Sequence, residues 1–404
     1  MQAENLEMSI FDLGKEGVSL LKELVNKEKD AIISWRRQIH QNPELGFEEE
    51  KTSALVEKLL GEFGYEVQTG FGGTGVVGLL SREEIKDLPA VALRADMDAL
   101  PITEKNQVPY KSLRPGVMHA CGHDGHTAIL LGAAKVLSQV KESLKRPVVV
   151  VFQPAEERLG GAREVIASGL FQKYNIGEIY GLHLWPPVPE GKVGLKAGPV
   201  MAGALNFKLK ILGQNAHAAE PHNAVDAIVA GAAVVEALQT VVSRFSDPLE
   251  PLVVSVGTFH AGELANIIAG SAVLTGTCRT ASPAVYRQLP ALLARIIENT
   301  VRAYGAEPEL EIEEGYPVTE SEAGCVDKVK QAALVAFGPE AIYSIDKCFM
   351  GSEDFSYYLQ NVPGAYFFLG IGPERKLHQS TFDFNEELLA KGAELLAQIA
   401  LLAG

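Results

Sequence analysis

Cysteine, histidine and tryptophan are scarce in this chain: four, nine and two among 404 residues. The cysteines, Cys121, Cys278, Cys325 and Cys348, are far apart, which excludes the disulfide framework of a small secreted scaffold and suits a reducing compartment. Positive charge is also in short supply. Lysine and arginine total 36 against 51 aspartates and glutamates, and the net charge of -15 is spread along the chain and not gathered in a tail. That balance argues against nucleic acid or an anionic membrane as partner and for solubility. The opening MQAENLEMSIFDLGKEG lacks the basic-then-apolar order of a secretion signal, and no apolar run reads as long enough to span a bilayer, so a cytoplasmic protein is expected. Internal repeats and low-complexity tracts are missing as well.

What remains is an ordinary globular composition, 47% hydrophobic and 22% charged, over a length that suggests two domains. Residues 18–41 and 48–63 read as amphipathic helices, and GYEVQTG after Gly64 reads as a strand. GGTGVVG fits the spacing of a dinucleotide-binding turn, but its tail is β-branched and strand-like where a helix should open, which argues against a nucleotide.

Polar residues cluster where apolar runs end. PAVALRADMD ends in Asp96 and Asp98, RPVVVVFQPAEE in Glu156 and Glu157, EIYGLHLWP near His183, and AYFFLGIG precedes a loop with His378. Short continuous apolar runs suit a parallel sheet covered on both faces, with ligands beyond the carboxyl ends of its strands. HACGHDGHT, residues 119–127, reads as a loop opening the helix TAILLGAAKVLSQV. Between 196 and 315 the pattern becomes βαββαβ, the order of a ferredoxin-like unit, and the candidate site residues lie on both sides of it. The expected architecture is therefore α/β. A larger domain, 1–195 and 316–404, has a mostly parallel central sheet flanked by helices, and 196–315 is inserted into it.

Two chemistries compete for the 119–127 stretch. A thiol enzyme would use Cys121 with His119 or His123 as base, leaving the carboxylates and distant histidines idle. A metal site uses them all, since thiolate, imidazole and carboxylate bind zinc or, less specifically, manganese or cobalt. Cys121 and His123, two apart in an extended loop, would face one centre. Six candidate groups exceed the needs of one tetrahedral ion and favour two metals sharing a bridge.

The series RADMDALPI, MHACGHDGHTA, QPAEE, GLHLWP, AHAAEPH, GSEDFSYY and LHQSTFDFNEE resembles the motifs of the dinuclear-metal amidohydrolase and peptidase family that includes aminoacylases, hippurate hydrolase and plant auxin-conjugate hydrolases. The similarity runs from about Trp35 to Glu387. It implies a catalytic domain holding two divalent metal ions, zinc before manganese or cobalt, and a ferredoxin-like lid that mediates a homodimer or a dimer of dimers. It also implies Cys121 as bridging thiolate, Glu157 and His378 on one metal, His123 and His183 on the other, and Glu156 as general base. Adjacent glutamates leaving a strand diverge, so one can bind metal while the other faces water. Asp96 resembles the aspartate that orients a ligand imidazole. In the lid, His217 and Asn266 match positions that stabilise an oxyanion, and Arg279 one that grips a free carboxylate. His119, Asp124 and His126 read as support for the loop or helix start.

Two departures stand near these positions: Glu220 where relatives carry an apolar residue, and IIAG after Asn266 in place of the usual proline. The implied reaction is hydrolysis of an N-acyl amino acid, with a dipeptide as the close alternative. A metal-binding protein without catalysis is the alternative of another class, disfavoured because binding alone would not need Glu156.

Overall fold

The computed structural model describes residues 15–403; residues 1–14 of the larger expected domain, with most of the opening segment read for a signal, lie outside the described residues. Two compact units are present. The second comprises Pro199–Thr319 and Lys347–Ser356, and the first comprises the other described residues.

The first unit is built on a sheet of β1 (Glu66–Phe71), β2 (Gly75–Leu80), β3 (Ala90–Asp96), β4 (Val148–Gln153), β5 (Ile176–Trp185), β6 (Val193–Leu195), β7 (Ile342–Ser344) and β8 (Gly364–Gly370), in the order β1-β2-β4-β3-β5-β8-β6-β7. Its centre, β4-β3-β5-β8, is parallel, and every residue of β3, β4 and β8 is buried. The sheet as a whole is mixed, a correction to the mostly parallel expectation. β1 and β2 are joined through Gly72 and Gly73, both at positive φ, and so short a connection allows only antiparallel pairing. β2 also runs antiparallel to β4, and β6 to β8. The same hairpin accounts for GGTGVVG: its first two glycines lie in the turn and its tail is β2.

Helices α1 (Lys15–Gln41), α2 (Glu50–Glu62), α3 (His123–Gln139), α4 (Ala323–Phe337) and α5 (Glu387–Leu402) flank the sheet. α1, α3 and α5 pack on one another, burying residues such as Ile32, Ile129 and Leu396 in one core with Leu93 and Phe367 of the sheet. Inside this apolar packing lies a fully buried arginine. Arg36 Nε donates to Asp124 Oδ2 at 2.6 Å, and its other nitrogens reach Asp383 and Glu386 at 3.0 and 3.2 Å. Burial disfavours its charge, yet the carboxylates hold the guanidinium above its ordinary pKa. The bond fixes α1 to the first turn of α3, next to His123.

In the second unit, strands Gly203–Leu212, Leu252–Ala261, Ser271–Thr280 and Glu307–Glu314 form an antiparallel sheet with Glu307–Glu314 and Leu252–Ala261 at its edges. Helices Ala227–Thr240 and Pro283–Ala303 supply Val234, Leu238, Leu293 and Ile297 to its core, so the chain order is βαββαβ. Asp226 and Ser282 cap their first turns through side-chain oxygens. Contrary to the sequence reading, one segment here, Ala227–Phe245, is long and apolar enough to cross a membrane by length and composition. It carries only Glu236 and Arg244 as charges; one stripe of it, with Ala230, Val234, Leu238 and Val241, fills this core, while Ile228, Val229 and Val242 are exposed. Lys347–Ser356 joins the unit because Phe349 N–H donates to Val200 O and Ala202 N–H to Phe349 O, both at 2.9 Å.

Replacing Arg36 by methionine leaves the buried Asp124 with His40, 2.8 Å away, in place of the guanidinium, and the expected loss is about 3 kcal/mol. Urea unfolding measures it; a loss below about 1 kcal/mol would remove the ion pair from the determinants of this packing.

Candidate metal centre

The parallel strands end at one edge. Asp96, the last residue of β3, is level with Gln153, the last of β4, and His183 on β5 is level with Phe368 on β8. Beyond β4 the chain turns sharply: Ala155 has φ 54° and Gly160 φ 64°. Gly161 is required here, since a Cβ at that position would lie 1.7 Å from the Pro154 carbonyl oxygen. Between these bends Glu156 and Glu157 open a four-residue helical turn. Glu49 holds the turn from outside. Its carboxyl accepts from Ala155 N–H at 2.9 Å and from the Thr74 hydroxyl at 2.5 Å, and burial pushes its pKa up to about 7.

Cys121 and His123 do not share an extended loop. Gly122 adopts a left-handed conformation, φ 92°, and α3 begins at His123, four residues earlier than expected, so the bend at glycine brings thiol and imidazole to the same region. His378 is left-handed too, φ 60°, and its N–H donates to Ala120 O at 2.7 Å, tying its loop to the residue before Cys121. Such backbone in a non-glycine residue costs on the order of 1–3 kcal/mol and persists only where the surroundings enforce it.

The expected ligands converge. Cys121, His123 and His183 present donor atoms within 4.8 Å of one another, and so do Cys121, Glu157 and His378, and His123, Glu156 and Glu157. Cys121 Sγ lies 3.6 Å from His183 Nε2, and His378 Nε2 3.3 Å from Glu157 Oε1. His123 Nε2 and Glu157 Oε1 are buried without a hydrogen-bond partner, a costly state for polar atoms unless a cation takes them up. The electrostatics agree. Burial opposes charge on His123, but Asp96, Asp98 and Glu157 push it up to about 10, and burial together with Glu157 and Glu156 drives the Cys121 thiol well above its usual range. A nucleophilic cysteine needs the opposite shift. Thiolate, imidazole and carboxylate donors in surplus negative charge fit divalent cations.

The orienting aspartate is not where the sequence pointed. Asp96 lies 3.8 Å from His123 Nε2 but receives a 2.6 Å bond from His126 Nδ1, with Arg94 at 2.8 Å on its other oxygen. Burial works against its charge, and His123, His126 and Arg94 outweigh that and hold it well below the carboxylate range. Asp98, two residues on, accepts from His123 Nδ1 at 3.2 Å and from Glu156 and Glu157 N–H at 3.0 and 3.1 Å. RADMD offered both aspartates; only the exit of the chain from β3 after Asp96 separates their roles. His126 accepts Leu184 N–H at 2.9 Å, so it braces the strand of His183, and Asp124 is engaged by Arg36; both are supports as expected.

Within the second unit, His217 pairs with Ile267 in an antiparallel bridge, and Ala218 N–H donates to Asn266 O at 3.0 Å, which makes His217 and Asn266 neighbours. Both are exposed. Arg279, on Ser271–Thr280, donates to Met350 O at 3.1 Å. Glu220 is exposed, and its carboxylate accepts from Asn223 at 3.3 Å.

The profile of peptidase family M20/M25/M40 matches residues 92–402. The chain belongs to that family. It is 43% identical to the N-acyl-L-amino acid amidohydrolase of Geobacillus stearothermophilus over 75% of this chain and 82% of that one. It is 39% identical to the hippurate hydrolase of Campylobacter jejuni over 91% and 94%. The structure of YXEP from Bacillus subtilis, described as a dinuclear metal-binding peptidase from the M20 family, superposes with TM-score 0.81 at 30% identity over 94% of this chain and 99% of that one. The protein is a metal-dependent hydrolase of amides from a family of dinuclear metal-binding peptidases.

Asp98→Asn should lower metal affinity about 10- to 100-fold, the usual cost of losing a group that orients a ligand; metal-buffered titration reads it, and affinity within twofold of the parent would return the role to Asp96. Glu49 gives a pH signature. Its pKa is raised on folding, so its contribution is complete below the ordinary 4.5 and is lost as pH rises through about 7. Across that window the parent should lose about 3 kcal/mol more than Glu49→Gln. Parallel stability curves for the two proteins would contradict the assignment.

Proposed function

We propose that this enzyme hydrolyses the amide bond of N-acyl amino acids, with acetyl, benzoyl or similar acyl groups, to a free amino acid and a carboxylic acid. The observation that carries the reading is Cys121, whose sulfur belongs to both candidate ligand triads, Cys121–His123–His183 and Cys121–Glu157–His378, and so would serve both ions of a dinuclear site. Two divalent cations held by Cys121, His123, Glu157, His183 and His378 would supply Lewis-acid polarisation of an amide carbonyl and an acidified water. Zinc suits a mixed thiolate, imidazole and carboxylate set, with manganese or cobalt as substitutes.

The remaining chemistry falls to side chains. Glu156, buried beside the ligands, takes the proton of the attacking water and hands it to the departing amine nitrogen. Its neighbour Glu157 binds metal, and Asp98, holding both backbone N–H groups, keeps the two from exchanging places. Asp96 acts at one remove, through His126.

For the second unit the βαββαβ order supports a ferredoxin-like lid. There His217 and Asn266 stabilise the oxyanion and Arg279 grips the substrate carboxylate. Leu252–Ala261 is an edge strand with Val253 and Phe259 exposed, which supports a homodimer through this unit.

Chelation should abolish turnover of an N-acetyl amino acid, and two equivalents of divalent ion per chain should restore it. Glu156→Gln should keep both ions and lose about 100- to 10,000-fold in kcat, whereas Glu157→Gln should lose metal and activity together. Near-normal turnover in Glu156→Gln, or equal metal loss in both variants, would refute the division of labour.

A further inference from the structure

Among the candidate ligands His378 has the least protein around it: its side chain is 52% exposed, against 11% for Glu157, and Cys121, His123 and His183 are buried. It lies in residues 371–386, a stretch without helix or strand between β8 and α5. Its left-handed backbone has to be enforced from outside that stretch. Besides the bond from its N–H to Ala120 O, three others grip the residues just after it. Lys105 N–H donates to Ser380 O at 2.7 Å, Asn106 Nδ2 to Phe382 O at 2.9 Å, and the Tyr110 hydroxyl to Asp383 Oδ2 at 2.8 Å. All three donors come from one short segment, 105–110.

That segment is irregular too, and Glu104 anchors it. Its buried carboxylate accepts Ser112 N–H at 2.7 Å and Asn106 Nδ2 at 3.1 Å, which folds the segment back on itself, and faces His40 Nε2 at 3.3 Å. His40, on α1, turns its other nitrogen to Asp124 Oδ2 at 2.8 Å, in the first turn of α3. Burial opposes charge on both His40 and Glu104. Asp124 and Glu104 nevertheless raise the imidazole, and His40 with Ser112 N–H holds the Glu104 carboxyl down, so the anchor is an ionic one. Asn106 is the link. Its amide donates both to Glu104 and to Phe382 O, the full capacity of one NH₂ group. The other two imidazoles are held differently: Asp98 accepts from His123 Nδ1, and Leu184 O from His183 Nδ1 at 2.8 Å. Neither bond involves 104–110.

We infer that residues 104–110 are a brace for His378, with Asn106 and Tyr110 as positioning residues, and that the brace governs one cation of the pair. The cation held by Cys121, Glu157 and His378 depends on it, and the one held by Cys121, His123 and His183 does not. The inference rests on the two-cation reading above and adds that the two sites fail separately.

Calorimetric titration of the metal-free full chain with Co²⁺ tests this, because it reads the two equivalents one by one. In Asn106→Ala/Tyr110→Phe one equivalent should stay within about twofold of the parent, and the other should bind about 10- to 100-fold more weakly. Phenylalanine keeps the ring on which the Arg36 guanidinium rests, 4.7 Å from its centroid, so the buried ion pairs are spared. His378→Ala identifies the weakened site. It should lose one equivalent, and in that background the same pair of substitutions should move the remaining affinity by less than about twofold, since residues that act through one ligand do not add to its loss. A general loosening of the fold would instead weaken the remaining equivalent as well. Tyr110→Phe alone removes a single oxygen and should show the same selectivity at about threefold or more, which decides the matter if the paired variant does not fold. Both equivalents weakened alike, both unchanged, a further loss in the His378→Ala background, or two undiminished equivalents in His378→Ala would overturn the brace. A parent that binds one equivalent would refute the two-cation reading itself, and the inference with it.

Discussion

Asp98 is a buried carboxylate that accepts three hydrogen bonds, and the geometry of the centre depends on where they come from. One oxygen faces His123 Nδ1 and Glu156 N–H, and the other Glu157 N–H. A single side chain therefore fixes the tautomer of a candidate ligand on α3 and the heading of both glutamates after β4. Glu49 pulls on the same turn from the opposite direction, through Ala155 N–H. Between these two acids the left-handed bend at Ala155 is enforced, and Gly161 allows the chain to fold back over Pro154. Position follows from hydrogen bonds made to backbone, which a change in substrate does not disturb.

The second constraint is charge. Asp96, Asp98, Glu156 and Glu157 crowd a region whose cationic partners are imidazoles and one buried arginine, Arg94. Without a divalent ion the balance is met by protons, which is why His123 is pushed up to about 10 and the Cys121 thiol stays protonated. Metal entry and proton release are therefore one event, and affinity must rise with pH until the ligands are bare. Strain in the backbone at His378 fits this picture, because a ligand held before the metal arrives loses less freedom on binding.

Most of this was legible in the sequence for identifiable reasons. Continuous apolar runs marked β3, β4, β5 and β8, since strands covered on both faces have no polar alternation to hide them. In the second unit the helices and strands follow their periodicities within a few residues. Tertiary pairing escaped notice. β1 and β2 looked like any strands, and only their hairpin made the sheet mixed. Asp96 was preferred to Asp98 because spacing cannot say where a strand ends, and the reach of a side chain changes at that point. His123 as the first residue of α3 was hidden by Gly122, whose left-handed φ turns a loop into a helix start four residues earlier than the pattern suggests. The bond from Asn106 to Phe382 O joins residues 276 apart in the chain, which no local signal connects.

The membership of Lys347–Ser356 in the second unit has a genetic consequence. The chain passes from one unit to the other after Gly198, Thr319, Asp346 and Ser356, so the smaller unit is written in two separate stretches of coding sequence. Cutting out 199–319 as a cassette would remove Phe349, Met350 and Gly351 from the backbone and guanidinium groups of Val200, Ala202 and Arg279 that they serve. Recombination that swaps this unit between relatives as one block would separate Arg279 from the segment that positions it. Exchange of specificity by gene shuffling must therefore carry both stretches together.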